Sequence, residues 1–546
     1  MLSLLDQFSQ ISGYKLNLHK SELLPINKEA QELTFHDLPF KVVHNQFTYL
    51  GITVTRKFKD LFRENFANLS YAIKQSLVQW SPLSMSLVGH INVVKMYVLP
   101  KFLYLFQSIP IFIPKSFFDS LDSIILSYLW QNKRSRINKI HLQKSKKEGG
   151  MALPNFRLYY WAANIRCATF WSFFHGQPEC PHWVAMELSS TKELSISALL
   201  GSALPSSLPR SIANPLVRHT LRIWAQIRKC YGFRGFSVTS PIAHNHLFLP
   251  TTYDSAFQVW YRKGIRHFED LFIDNRFASF QQLSVKFNLP NAHFFRYLQI
   301  QHFIAPLIPN FPEMPAKNAM DLFLSMNPLG KGLISIIRDK LAALRRAPMD
   351  KIKMAWEQDL NISLSEESWD SVLKSVNSTS LCARHCLLQF KIVHRAHLSK
   401  SKLSRFYPSV SPLCDKCKRG VASLIHMYWF CPSLEKFWKD VFTTLLCILN
   451  QHLEPNQIAL FGFWGETDLC LGPTKCRILS FASPLARRLI LLRWRDVASP
   501  THAQWLNDIM ACLDLEKIHY SVLNSDLKFH KVWGPFIEYF HNLPLD

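Results

Sequence analysis

"SLVGHINVVKMYVLPKFLYLFQSIPIFIP" (residues 86–114) decides the class of fold. Leu87, Ile91, Val94 and Val98 recur three and four residues apart, which makes one apolar stripe along a helix. Pro100 is expected to stop that helix, because proline has no N–H to donate and its ring clashes with the preceding turn. From 96 to 114 the run is almost wholly apolar, yet it carries Lys101, Gln107 and three prolines. A buried element followed by a loop fits this better than a membrane span, which needs roughly 20 consecutive apolar residues.

The same stripes extend on both sides. Phe58, Leu61, Phe62, Phe66, Leu69, Ile73 and Leu77 form one helix face. Ser81 and Pro82 read as an N-cap and first helical residue. Phe117, Phe118, Leu121, Ile124, Ile125, Tyr128 and Leu129 form another face. "EGGMALPN" (148–155) reads as a turn, followed by an aromatic-rich helix over 156–174. Residues 1–11 read as the end of an amphipathic helix, and "YKLNL" (14–18) and "FTYLGITV" (47–54) as short strands. Beyond 176 the pattern weakens. "ALPSSLPRSIANP" (203–215) is a linker by its Pro and Ser content, and helices return over 254–287, 332–346 and 484–514. The expected class is α+β, predominantly α.

Composition narrows the function. The 546 residues are 48% hydrophobic and 19% charged, a globular balance long enough for several domains. A net charge of +24 points to a polyanionic partner. Twelve cysteines, scattered apart from 414, 417 and 431, exclude a disulfide scaffold and suit a reducing compartment. The N-terminus lacks a basic n-region and meets Asp6 early, so a secreted protein is not expected. The P-loop, G-x-S-x-G and H-E-x-x-H motifs are absent, as is a close aspartate pair between strands.

Three stretches could carry chemistry. In 132–150, Lys133, Arg134, Arg136, Lys139, Lys144, Lys146 and Lys147 precede a single acid, Glu148, which favours phosphate contact. In 384–406, Arg384, Lys391 and Arg395 could touch a backbone phosphate. His385, His394 and His397 in the same stretch read as hydrogen-bonding residues rather than metal ligands. In 414–431, Cys414, Cys417, His426 and Cys431 stand at C-x2-C-x8-H-x4-C, a spacing that suits tetrahedral Zn2+.

Together, "FSQISGYKLNLHKSELLPIN" (8–27), "FTYLGITV", the opening stretch, "EGGMALPNFRLYYWAANI" (148–165) and the Cys/His box resemble the downstream half of the second open reading frame protein of LINE-type non-LTR retrotransposons, in vertebrate and particularly fish copies. The resemblance implies a remnant of the reverse transcriptase palm and primer grip over 1–55. It implies a helical thumb with a basic segment over 56–175 and a helical or irregular linker over 176–379. A zinc-knuckle-like domain over 380–450 and a C-terminal helical tail over 451–546 follow. Lys20 matches a palm lysine that acts as general acid beside the leaving pyrophosphate. His90 stands where arginine is expected, which puts a duplex contact there in question. The implied partners are RNA and DNA, namely the element's own RNA and target DNA, in the nucleus and/or cytoplasm, with no membrane. The palm's Asp-Asp block and the endonuclease are not matched, so Mg2+ is expected only if a palm is supplied. The expectation is a truncated fragment that binds nucleic acid without polymerising. One alternative is a longer product, active in target-primed reverse transcription, whose frame extends upstream of Met1. Another is a non-catalytic or decayed element-derived protein. The eight-residue spacer is longer than that of the compact C-x2-C-x4-H-x4-C knuckle, so the box is expected to be a structural clip. Tyr428 and Trp429 are expected to pack against its turn rather than stack on bases.

Overall fold

Helices dominate the computed structural model, which describes residues 2–33, 39–174, 179–190, 195–201, 212–233, 236–243, 245, 247–344, 349–377, 382–450, 460–461 and 472–542. Most of the proposed linker at 203–215 lies outside them. Strands among the described residues are short and pair in twos. Glu22–Leu23 runs parallel to Lys41–Val42, Gln46–Tyr49 antiparallel to Ile52–Thr55, and Phe272–Ile273 antiparallel to Arg276–Phe277. Among the described residues no helix is long and apolar enough to cross a membrane.

Several local expectations need correction. "YKLNL" is not a strand: residues 14–17 are irregular and Leu18–Lys20 form one 3-10 turn capped by Asn17. "FTYLGITV" is not one strand but most of a hairpin, because the chain reverses at Leu50–Gly51 and pairs Tyr49 with Ile52. The helix cap is Ser86, whose hydroxyl accepts from the Gly89 N–H at 3.1 Å, rather than Ser81. Pro100 does not stop the helix. The preceding turn widens to a π-helix over Val94–Val98, and Pro100 enters the first turn of Leu99–Ser108, where a missing N–H costs little. The stretch 484–514 is two helices, Pro473–Leu492 and His502–Val522.

The chain divides into two compact units that interleave along the sequence. The first comprises 1–79, 97–122 and 155–346, the second 80–96, 123–154 and 347–546, so 56–175 contributes to both. In the first unit, helix Phe156–Phe174 is apolar nearly all round and buried accordingly. It packs against Leu99–Ser108, Pro215–Tyr231 and Leu333–Ala343. Tyr160 at its centre donates to Ile111 O (2.8 Å) and accepts from Ile113 N (3.2 Å), so its buried hydroxyl is satisfied. Phe106 and Phe118 pack on its ring, and Phe66 and Phe102 pack on Phe106. A further core in this unit, around Trp260, Phe268, Leu271 and Ile300, lies in the stretch where the sequence pattern weakens. The second unit gathers Ala383–Val393, Glu435–Leu449, Pro473–Leu492, His502–Val522 and Asp526–His541, with Trp505 and Trp533 fully buried among them.

Asn65 ties the hairpin to the helix that follows it. Its Oδ1 accepts from Thr53 N and its Nδ2 donates to Thr53 O, both at 2.9 Å, and also to Leu61 O at 3.0 Å. Asn65→Ala strands these backbone groups and is expected to cost about 1–3 kcal/mol. Urea unfolding should show a lowered midpoint; an unchanged midpoint would mean that the hairpin is held elsewhere.

Candidate functional site

The Cys/His box is assembled by one tight turn and one wide one. Leu413 bridges antiparallel to Val421, Cys414 N donates to Gly420 O (2.9 Å) and Ala422 N to Pro412 O (2.8 Å). Between these rungs Lys418 N returns to Cys414 O at 3.0 Å, which sets Cys414 and Cys417 on one side. His426 opens the wide turn His426–Phe430, with its N–H held by Ser423 Oγ at 3.1 Å. Cys431 N closes that turn on His426 O at 3.0 Å, and Cys431 leads into helix Glu435–Leu449. Gly420 is required by the ring it faces: a Cβ there would lie 2.5 Å from His426 Cε1 and 3.0 Å from Nδ1.

The four candidate ligand atoms lie within 4.8 Å of one another. Cys414 Sγ and Cys431 Sγ are 3.8 Å apart, and Cys417 Sγ is 3.4 Å from His426 Nε2. A disulfide would need about 2.0 Å. Tetrahedral zinc with bonds of about 2.3 Å to sulfur separates two thiolates by about 3.8 Å. The donor set and its spacing therefore fit a zinc ion. Burial acts to raise the Cys417 thiol, but the N–H groups of Gly420 and Arg419, with His426 and Cys414, outweigh it and hold it at about 6. Burial pushes the Cys431 thiol up to about 11.

The turn is fastened to its own unit by Lys416, whose Nζ donates to the carbonyls of Arg493 (2.7 Å), Asp496 (2.6 Å) and Ala498 (3.0 Å). Burial lowers its pKa against the opposing pull of Asp496, Cys414 and Cys431. Tyr428 is 1% exposed, its ring 4.8 Å from Trp494, so it is closed to a base. Trp429 is half-buried against Trp438, with ring centres 5.0 Å apart. Sequence reasoning missed Gly420 and the carbonyl contacts of Lys416, although both residues lie within 414–431.

The two basic stretches meet in the same unit. His394 Nε2 is 2.8 Å from Gly149 O, and the His141 and His394 ring centres are 5.6 Å apart. Asn377 Nδ2 donates to Lys146 O (3.1 Å) and Gly150 O (3.2 Å). Glu148, the only acid of its stretch, accepts from Ser145 N and Oγ in a capping box. Lys146 and Lys147 extend into solvent from this anchored turn, and Lys133, Arg134, Arg136 and Arg384 are also exposed. Lys139, Lys144 and Lys391 are half-buried.

Other predicted residues lie elsewhere or have other work. Arg395 pairs with Asp359, donates to Ala355 O (3.1 Å) and lies over Trp356, so it serves packing within the unit. Burial takes both His394 and His397 down to about 4, and neither falls within the metal-ligand group. His385 is buried as well. His90 is 2% exposed, edge-on to Tyr128, and has no surface to offer a duplex. Lys20 is exposed on its one-turn helix in the first unit. No protein-family model matches the chain.

Gly420→Ala is expected to displace His426 and weaken metal affinity about tenfold, the scale of other changes that reorient a ligand. Competition with a chelating dye measures this, with Cys447→Ser, an exposed cysteine outside the group, as the unaffected control. Equal affinity in Gly420→Ala would remove His426 from the ligand set.

Proposed function

We propose that this chain is the downstream part of a LINE-type reverse transcriptase, and that its residues bind RNA and DNA rather than polymerise. The observation that carries the reading is the meeting of two basic stretches in one unit, with their backbone anchored and the only acid within 132–150, Glu148, committed to a cap. Anchored cations lose less freedom on binding than those of a mobile loop, and an uncompensated positive surface attracts phosphate irrespective of base sequence. Lys133, Arg134, Lys146, Lys147 and Arg384 are the residues assigned to backbone contact.

Cys414, Cys417, His426 and Cys431 are assigned to Zn2+, which when bound supplies a structural cross-link. In this reading the chain's own residues do the rest: Gly420 admits the imidazole and Lys416 joins the turn to the carbonyls at 493–498. Four protein ligands leave no open position for substrate, which argues for a clip rather than a catalytic metal. Phosphoryl transfer is not assigned to these residues, because it needs paired carboxylates to hold two Mg2+ ions. Lys20 would act as a general acid only beside such a pair.

Two measurements test the reading. Lys146→Ala with Lys147→Ala should lower the slope of log binding constant against log salt, for single-stranded RNA, by about 1.4, some 0.7 per phosphate contact. An unchanged slope would make this turn a solvated loop. Elemental analysis should return about one zinc per chain, and Cys417→Ser should abolish it; zinc retained in that variant would sink the assignment.

A further inference from the structure

A cavity of about 560 Å³ lies beside the Cys/His group, and nothing assigned so far uses it. One wall is the end of the wide turn His426–Phe430, which supplies Trp429 and Phe430. The other is one face of helix Glu435–Leu449, because Glu435, Trp438, Lys439, Phe442, Thr443 and Leu446 recur three and four residues apart. Cys431, a candidate metal ligand, joins the two walls. The volume falls in the range of small-ligand sites, roughly 300–1,000 Å³. A groove for a partner helix would have to run further, since such helices are anchored over about two turns.

The floor of the cavity is aromatic. Trp438 and Phe442 are buried, and Trp438 Nε1 already donates to Tyr428 O at 2.9 Å. Trp429 packs on Trp438 and edge-on to Phe442, with ring centres 5.0 and 6.1 Å away. It is only half-buried and lines the cavity with the rest of its surface. Polar groups stand at the rim. Thr443 Oγ1 is committed to Lys439 O at 2.9 Å. Glu435 and Lys439 are exposed, one helical turn apart, and among the described residues neither is in an ion pair. A flat apolar slot with one open carboxylate and one open ammonium suits a flat aromatic ligand that carries both N–H donors and an anion.

We infer that this cavity binds an unpaired guanine nucleotide, either within a single-stranded nucleic acid or free. The Trp429 indole stacks on the base, a contact that any base can make. Glu435 adds selection. An ionised carboxylate only accepts hydrogen bonds, through two oxygens. Guanine presents two neighbouring donors, N1–H and its N2 amino group, and no other standard base offers such a pair on that edge. Lys439 meets the phosphate as a point charge. Within a strand the inference rests on the nucleic-acid reading above; for a free nucleotide it does not.

The test titrates the full chain with a labelled oligouridylate and with the same strand carrying one central guanine. Guanosine and uridine monophosphate are titrated in parallel. The single guanine should raise RNA affinity about tenfold, the scale of a bidentate base contact. Guanosine monophosphate, but not uridine monophosphate, should raise the thermal midpoint. Glu435→Gln should remove both preferences; because each is a comparison within one preparation, it does not depend on how much of the variant folds. Trp429→Ala should weaken the guanine strand about tenfold, while Trp429→Phe, which keeps a ring, should bind it as wild type does. Lys439→Gln should lower the salt slope by about 0.7. Preference in RNA alone assigns the site to a strand, and a monophosphate response alone assigns it to a free nucleotide; either sustains the inference. A preference that survives Glu435→Gln would overturn it. A guanosine monophosphate response in a chain that binds no RNA would overturn the proposed function and leave the cavity standing. Equal affinity for both strands with no monophosphate response, while Lys146→Ala with Lys147→Ala still lowers the slope, would overturn the cavity and leave the proposed function standing. Silence in all four titrations would overturn both.

Discussion

Two adjacent glycines without room for a side chain determine how the basic surface is built. A Cβ on Gly149 would lie 2.7 Å from Leu373 Cδ2, and one on Gly150 would lie 2.2 Å from Lys144 O. The turn can therefore lie directly on helices Glu366–Ser375 and Ala383–Val393, where Asn377 and His394 take its carbonyls. Any side chain there would lift the turn and separate 132–150 from 384–406. Stretches more than 200 residues apart in sequence thus share one surface through backbone contacts. Lys146 and Lys147 stand exposed on that turn.

The Cys/His group is joined to its unit in a related way. Its geometry is local, since all four candidate ligands come from 18 residues, 414–431. Its attachment is not local: Lys416 reaches carbonyls almost 80 residues further on, at the end of helix Pro473–Leu492. A clip that fixes only its own turn would orient nothing. Held by Lys416 and by the contact of His426–Phe430 with that helix, it sets the start of Glu435–Leu449 relative to the bundle.

How much of this could be read from sequence follows the range of the interactions. The helices at 68–80, 115–129, 156–174 and 333–343 were legible because burial imposes a period of three to four residues. The errors arose where a local rule was met by a compensating neighbour. Pro100 should end a helix, but the π-turn before it absorbs the change. "YKLNL" alternates like a strand but has no partner; pairing begins at Glu22 with Lys41, which no local pattern signals. That the four candidate ligands come together was legible from their spacing, while Gly420 acquires its role only once His426 folds back onto it. Arg395 looked like a phosphate contact because Asp359 and Trp356, its actual neighbours, are nearly 40 residues upstream.

That last case bears on how the positive charge should be weighed. With 63 lysines and arginines against 39 acids, ion pairing cannot account for every cation. Several in the second unit are instead held by neutral acceptors. Arg487, fully buried, donates to Ser483 O, Leu460 O and Gln389 Oε1, and burial takes its pKa down to about 9. Lys416 uses three carbonyls in the same manner. Carbonyl dipoles satisfy a cation's donors without cancelling its charge. A unit that stabilises its internal cations this way keeps its positive field, and the surface lysines add to that field instead of being screened by internal carboxylates. Net charge alone therefore does not identify a binding surface. The separation needed is between cations held by partners within the fold, such as Arg395 and Lys416, and those that stand exposed, such as Arg136, Lys146 and Lys147.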